Sequence, residues 1–178
     1  MTSKYSDTSG LTLEQIEAAR LALAGRIVDT PMVALNSDRI VPFLPKSAAV
    51  SLKLELFQQA GSFKARGALL AIDALDDAGR QNGVTAVSAG NHALAVAFAA
   101  KSSGVSAKLV MPEYADSVRV EGCRAMGAEV VLTPDIHAAF SKVEEISKDE
   151  GRAFLHPFDS EYMTLGAATC GAEMMASE

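Results

Sequence analysis

From Val84 onward, short apolar runs recur at intervals of about one helix length: Val84–Val87, Lys108–Met111, Glu129–Leu132 and Ala153–Leu155. Between them lie stretches of helical character, Ala93–Ser103, Asp116–Met126 and Ile136–Asp149. Strands that alternate with helices cannot pair as hairpins. They pair in parallel through right-handed crossovers, and both sheet faces end up covered. The rhythm therefore predicts an α/β fold, an open parallel twisted sheet with helices on both faces. Gly104, Gly127 and Gly151 follow the three helices, where a residue that tolerates left-handed backbone closes the last turn.

Upstream, Thr12 with Gln15 three residues on forms a capping box, so a helix is expected from there to about Gly25. Thr30-Pro31 breaks that pattern. Val50–Leu56 alternates apolar and polar residues and reads as a strand. Ser62 is placed to cap a further helix, whose apolar face is Leu69, Leu70, Ile72 and Leu75 and which ends near Gly79. A last helix, Glu161–Glu178, has no stop signal, which suggests a piece of something longer.

Composition excludes several classes of function. A net charge of −6, with Lys and Arg scattered along the chain, leaves no basic surplus for phosphates, so no nucleic-acid partner is expected. Met1–Asp7 lacks the apolar run of a signal peptide, and no later run is long enough to span a membrane. A cytoplasmic setting and no membrane partner follow as expectations. Cys123 and Cys170 stand alone without metal-ligand spacing, so neither a metal nor a disulfide is expected. His137 and His156 read as cap or surface residues.

Chemistry concentrates in two segments. Gly61-Ser62-Phe63-Lys64-Ala65-Arg66-Gly67 puts a lysine at the first turn of a helix, beside an aromatic ring and between glycines that allow close approach. Partial burial and the positive end of the helix dipole both disfavour its ammonium form, and a neutral amine is the form that attacks an aldehyde. Ser88-Ala89-Gly90-Asn91-His92 is a strand-to-helix turn whose backbone N–H groups suit a carboxylate or phosphate. It matches neither GxGxxG nor a Walker pattern. An imine-forming lysine facing an anion-binding turn is what pyridoxal phosphate chemistry requires. The plainer alternative is a solvated lysine, with Asn91 capping a helix and His92 in solvent.

The run Lys53–Gly67 resembles the cofactor-lysine segment of the threonine/serine dehydratase and serine racemase family, the fold-type-II pyridoxal phosphate enzymes, and the similarity extends over nearly the whole chain. That resemblance implies that Lys64 forms the imine with the cofactor, Phe63 packs near its ring and Asn91 meets its 3′-oxygen. It implies that Ser62, Ser88, Ala89, Gly90, Asn91 and His92 surround the substrate, with the α-carboxylate held by Ser88, Asn91 and His92. It also implies a small domain over residues 83–151 and an incomplete large domain over 1–82 and 152–178. The family's glycine-rich phosphate loop would lie past residue 178, so these residues alone are expected to hold the cofactor weakly.

Ala89 stands where serine racemases carry a second serine, which favours elimination from an amino-acid substrate such as L-threonine or L-serine over racemisation. Gly166-Ala167-Ala168-Thr169 departs from the family's Gly-Gln-Gly-Thr. Racemisation or hydroxyaspartate dehydration stays open, as does a non-catalytic domain that binds a small anion. A homo-oligomer is expected from the resemblance.

Overall fold

The structure, a computed structural model, describes residues 10–35, 37–45 and 48–176. The Met1–Asp7 reading and the last two residues of the Glu161–Glu178 helix lie outside them. Helix α1, Leu13–Leu23, starts on the expected capping box: the Thr12 hydroxyl accepts from the Gln15 N–H, and the Gln15 side chain accepts from the Thr12 N–H. Strand β1, Met32–Ala34, pairs antiparallel with β2, Ser51–Lys53. The strand expected over Val50–Leu56 is thus cut short, and Glu55–Phe57 forms a 3-10 turn instead. The Glu55 carboxylate is drawn inward to the Thr30 hydroxyl and the Arg66 guanidinium, which an extended, alternating chain could not permit.

Two successive residues with left-handed backbone, Ala60 (φ 56°) and Gly61 (φ +70°), then turn the chain into α2, Lys64–Asp73. Ser62 does not cap this helix. Phe63 occupies the cap position, no side chain bonds the first turn, and the Ser62 hydroxyl is buried with no partner among the described residues. The helix expected to run on to Gly79 stops at Asp73, and a short α3, Asp77–Asn82, follows on its own Asp76 cap.

The remainder follows the predicted rhythm: β3 Val84–Val87, α4 Asn91–Ser103, β4 Ala107–Pro112, α5 Ser117–Ala125, β5 Glu129–Thr133, α6 Ile136–Glu150, β6 Ala153–Phe154 and α7 Glu161–Ala176. Strands β5-β4-β3-β6 form one fully parallel sheet in that order. The sheet therefore runs across the expected domain boundary at residues 151 and 152. Gly104 and Gly151 close α4 and α6 in left-handed geometry, and Gly127 follows α5 at φ +87°.

Alternation along the strands sends side chains to two cores. Val84, Ala86, Leu109 and Met111 join α2, α4 and α5 on one face, while Val87 and Val110 meet Ala139, Val143 and Ile146 of α6 on the other. The cysteines are free, with Cys123 buried and Cys170 half-buried.

Candidate active site

Lys64 is the first residue of α2, half-buried, and its Nζ donates to the Pro157 carbonyl at 2.6 Å. The same nitrogen lies 4.8 Å from the centre of the Phe158 ring and 5.7 Å from that of Phe63. Burial holds its pKa below the ordinary lysine value, in the direction the sequence predicts. The amine faces a cleft of about 390 Å³ lined also by Ser88, Ala89, Asn91 and His92, so the two segments singled out in the sequence do share one cavity.

At the turn, Ser88 N–H continues the sheet to the Val110 carbonyl and the Gly90 N–H donates to the Ser88 hydroxyl at 3.0 Å. Gly90, not Asn91, is the helix cap residue, and no side chain caps α4. The backbone N–H groups of Ala89, Asn91 and His92 have no acceptor among the described residues. They form a cradle of unpaired donors at a helix N-terminus, and the exposed Asn91 amide adds a side-chain donor.

His92 is not solvated. It is buried, and its Nε2–H donates to the Leu155 carbonyl at 2.9 Å. A carbonyl can only accept, so this bond fixes the proton on Nε2 and leaves Nδ1 as a buried acceptor with no partner among the described residues. Burial pushes the imidazole pKa down to about 4, and the Leu155 bond opposes that only in part. A neutral ring whose one N–H is already committed to Leu155 cannot donate to a carboxylate. If His92 holds one, it does so through its backbone N–H.

The depressed pKa has a measurable consequence. Between pH 6.5 and 4 the unfolded chain protonates this histidine and the folded chain does not, so stability is complete above about 6.5 and falls as the pH drops. From pH 7 to 4.5 the loss from this group is expected to be about 2 kcal/mol. Urea unfolding of the wild type and His92→Gln at both pH values checks it: the variant should lose that much less on acidification.

Of the other expected residues, Phe63 is 40% exposed at the head of α2 and Ser62 lies buried beneath it; neither lines the cleft. The cleft adds residues that no sequence signal marked: Arg119 on α5, Ile136 and Phe140 on α6, and Pro157 with Phe158 after β6. Arg119 lies against the turn, its Nη1 3.2 Å from where a Cβ on Gly90 would sit, and its side chain has no hydrogen bond or ion pair among the described residues. Among the described residues no acidic side chain lines the cleft, so a chain of net charge −6 presents only cations there. That suits an anionic ligand. Among the described residues no cluster of three metal-ligating side chains occurs and no helix is long and apolar enough to cross a membrane.

Residues 23–178 match the family model described as pyridoxal-phosphate dependent enzyme. The chain belongs to this family. It is 45% identical over 170 residues to the phenylserine dehydratase of Ralstonia pickettii, covering 95% of this chain and 51% of that one. It is 38% identical over 168 residues to the catabolic L-threonine dehydratase of Escherichia coli strain K12, covering 93% and 49% respectively. The structure of maize serine racemase superposes with a TM-score of 0.83 at 32% identity, over 92% of this chain and 49% of that chain. The chain thus spans about half the length of the relatives it matches.

The residues present fit the family's cofactor. Lys64 offers an amine whose charged form burial disfavours, the cradle offers unpaired donors, and the cleft-lining His92 keeps a buried Nδ1 that lacks a partner among the described residues. Lys64 would hold the pyridoxal group and Asn91 would meet it from the turn.

Proposed function

We propose that this chain carries the lysine-bearing part of an enzyme that removes water from a β-hydroxy-α-amino acid such as L-threonine or L-serine, yielding a 2-oxo acid and ammonia. One observation carries the reading: a half-buried lysine amine opens onto the same cleft as a cradle of unpaired N–H donors. The names of the relatives, dehydratases of phenylserine and threonine, support the same class of reaction.

The N–H groups of Asn91 and His92, with the Asn91 amide, would bind and orient the α-carboxylate. Bound pyridoxal phosphate supplies an electron sink for the charge that develops on the α-carbon. The Lys64 amine would take the α-proton, since its lowered pKa keeps more of it in the basic form. The proton taken by Lys64 would then pass to the β-hydroxyl, which leaves as water as the C–O bond breaks, and the enamine that results hydrolyses in solution to the 2-oxo acid and ammonia. Elimination needs one base. Racemisation needs a second proton carrier on the opposite face, and Ala89 at the turn has no proton to give.

The test is reduction with borohydride in excess pyridoxal phosphate, followed by peptide mapping. A pyridoxyl adduct on Lys64 is expected, with none on Lys64→Ala, and the variant should lose at least about 10³-fold in 2-oxo acid formation. Absence of an adduct from the wild type, with anion binding unchanged in Lys64→Ala, would instead favour a non-catalytic anion-binding domain.

A further inference from the structure

Part of the cleft lining is apolar. Ile136 and Phe140 stand one helical turn apart at the start of α6, so they share a face, and Val87 and Phe158 complete the wall. His156 ties its aromatic parts together. Its ring centre lies 6.3 Å from that of Phe140 and 6.3 Å, edge on, from that of Phe158. Its Nδ1 accepts from the N–H groups of Phe158 and Asp159 at 3.2 and 2.8 Å, which fixes the turn that presents the Phe158 ring. Phe158 nonetheless stays 76% exposed, 4.8 Å from the Lys64 amine. A large apolar ring held in water beside the reacting amine has a surface that a ligand there would cover.

We infer that this wall receives the substituent on the substrate's β-carbon, and that it selects an aryl or comparably bulky apolar group over the hydrogen of serine or the methyl of threonine. The inference rests on the elimination reading above and names the substrate class for it. A positively charged substituent finds no acidic side chain in the cleft among the described residues. A carboxylate finds no donor on Phe140 or Ile136, and the one further cation lining the cleft among the described residues, Arg119, lies against Gly90 at the cradle. An aromatic substituent can instead pack edge to face against rings already held in place.

Saturation-transfer NMR of the chain in the presence of pyridoxal phosphate tests this, with L-threo-phenylserine, L-threonine and L-serine as ligands. The phenyl protons should receive the strongest saturation, and phenylserine should bind at least about tenfold more tightly than threonine. Phe140→Ala should bring that ratio close to one. The ratio is read on a single preparation, and Phe158→Ser, at an exposed position, should lower it in the same direction without disturbing the core. Equal binding of phenylserine and threonine by the wild type, or an unchanged ratio in both variants, would overturn the inference. If borohydride still traps a Lys64 adduct in that case, only the choice of side chain falls; no adduct and no bound amino acid would take down the elimination reading as well.

Discussion

Arg66→Ala is expected to cost about 3–5 kcal/mol of folding stability, because it strands acidic groups in the interior rather than removing a surface charge. The Arg66 side chain is fully buried. Its Nε and Nη2 donate to the two oxygens of Glu55 at 3.0 and 2.8 Å, and its Nη1 and Nη2 donate to those of Glu173 at 2.7 and 2.8 Å. Nη1 also reaches the Thr169 hydroxyl at 3.2 Å. Burial alone would discourage the charge, but the two carboxylates outweigh it and hold the guanidinium protonated. In turn, burial raises the pKa of Glu55 and Glu173, and their bonds, chiefly to Arg66, more than reverse this.

Lys53 also pairs with Glu173 at 2.9 Å, so Glu55 is the group left most exposed to the loss. Urea unfolding is the measurement. Arg66→Lys should recover only part of the stability, since an ammonium cannot fork between two carboxylates. Arg66→Met combined with Glu55→Gln should recover more than Arg66→Met alone. Near-wild-type stability in Arg66→Ala would mean that water or relaxation satisfies the two acids.

Gly166→Ala is expected to cost about 3 kcal/mol and to shift the Lys64 amine in its cleft. An added Cβ would stand 2.3 Å from the backbone nitrogen of Gly67 and 2.5 Å from its Cα. The obstacle is main chain, which no rotamer change can clear, so α7 and α2 must move apart. Gly67 mirrors the problem from the other helix, since a Cβ there would stand 2.8 Å from the Met163 Cα. Because Lys64 sits one turn before Gly67, the displacement carries to the amine. Gly171→Ala on the same helix as Gly166 is the control. Nothing lies within 4 Å of that position, and alanine there should stabilise by about 0.5–1 kcal/mol. Thermal or urea unfolding of the two variants separates contact from helix propensity. This close crossing also explains how Gly166-Ala167-Ala168-Thr169 keeps its first glycine and its threonine: one admits the α2 backbone, the other meets Arg66.

These cases show where the sequence could be read and where it could not. The parallel sheet was legible because each strand is a short apolar run and the helices between strands end on glycines, both local signals. Lys64 and the 88–92 turn were legible because their residue types are unusual at those places. Ser62 misled because a serine before a helix normally caps it, whereas here the left-handed turn at Ala60 and Gly61 rotates it inward. The strand through Glu55 misled because alternation says nothing of a buried cation eleven residues on. Arg119, Phe140 and Phe158 carried no local signal. They come from three different parts of the chain, and only the closing of the sheet brings them to one cleft.

One short segment after β6 supports both sides of the site. The Leu155 carbonyl fastens the His92 ring, and the Pro157 carbonyl, two residues further along, holds the Lys64 amine. Two peptide units reach at most about 7 Å, so this stretch sets the spacing between the 88–92 turn and the Lys64 amine. A ligand that takes the amine off the Pro157 carbonyl therefore frees one end of the same strip of backbone that fastens the His92 ring.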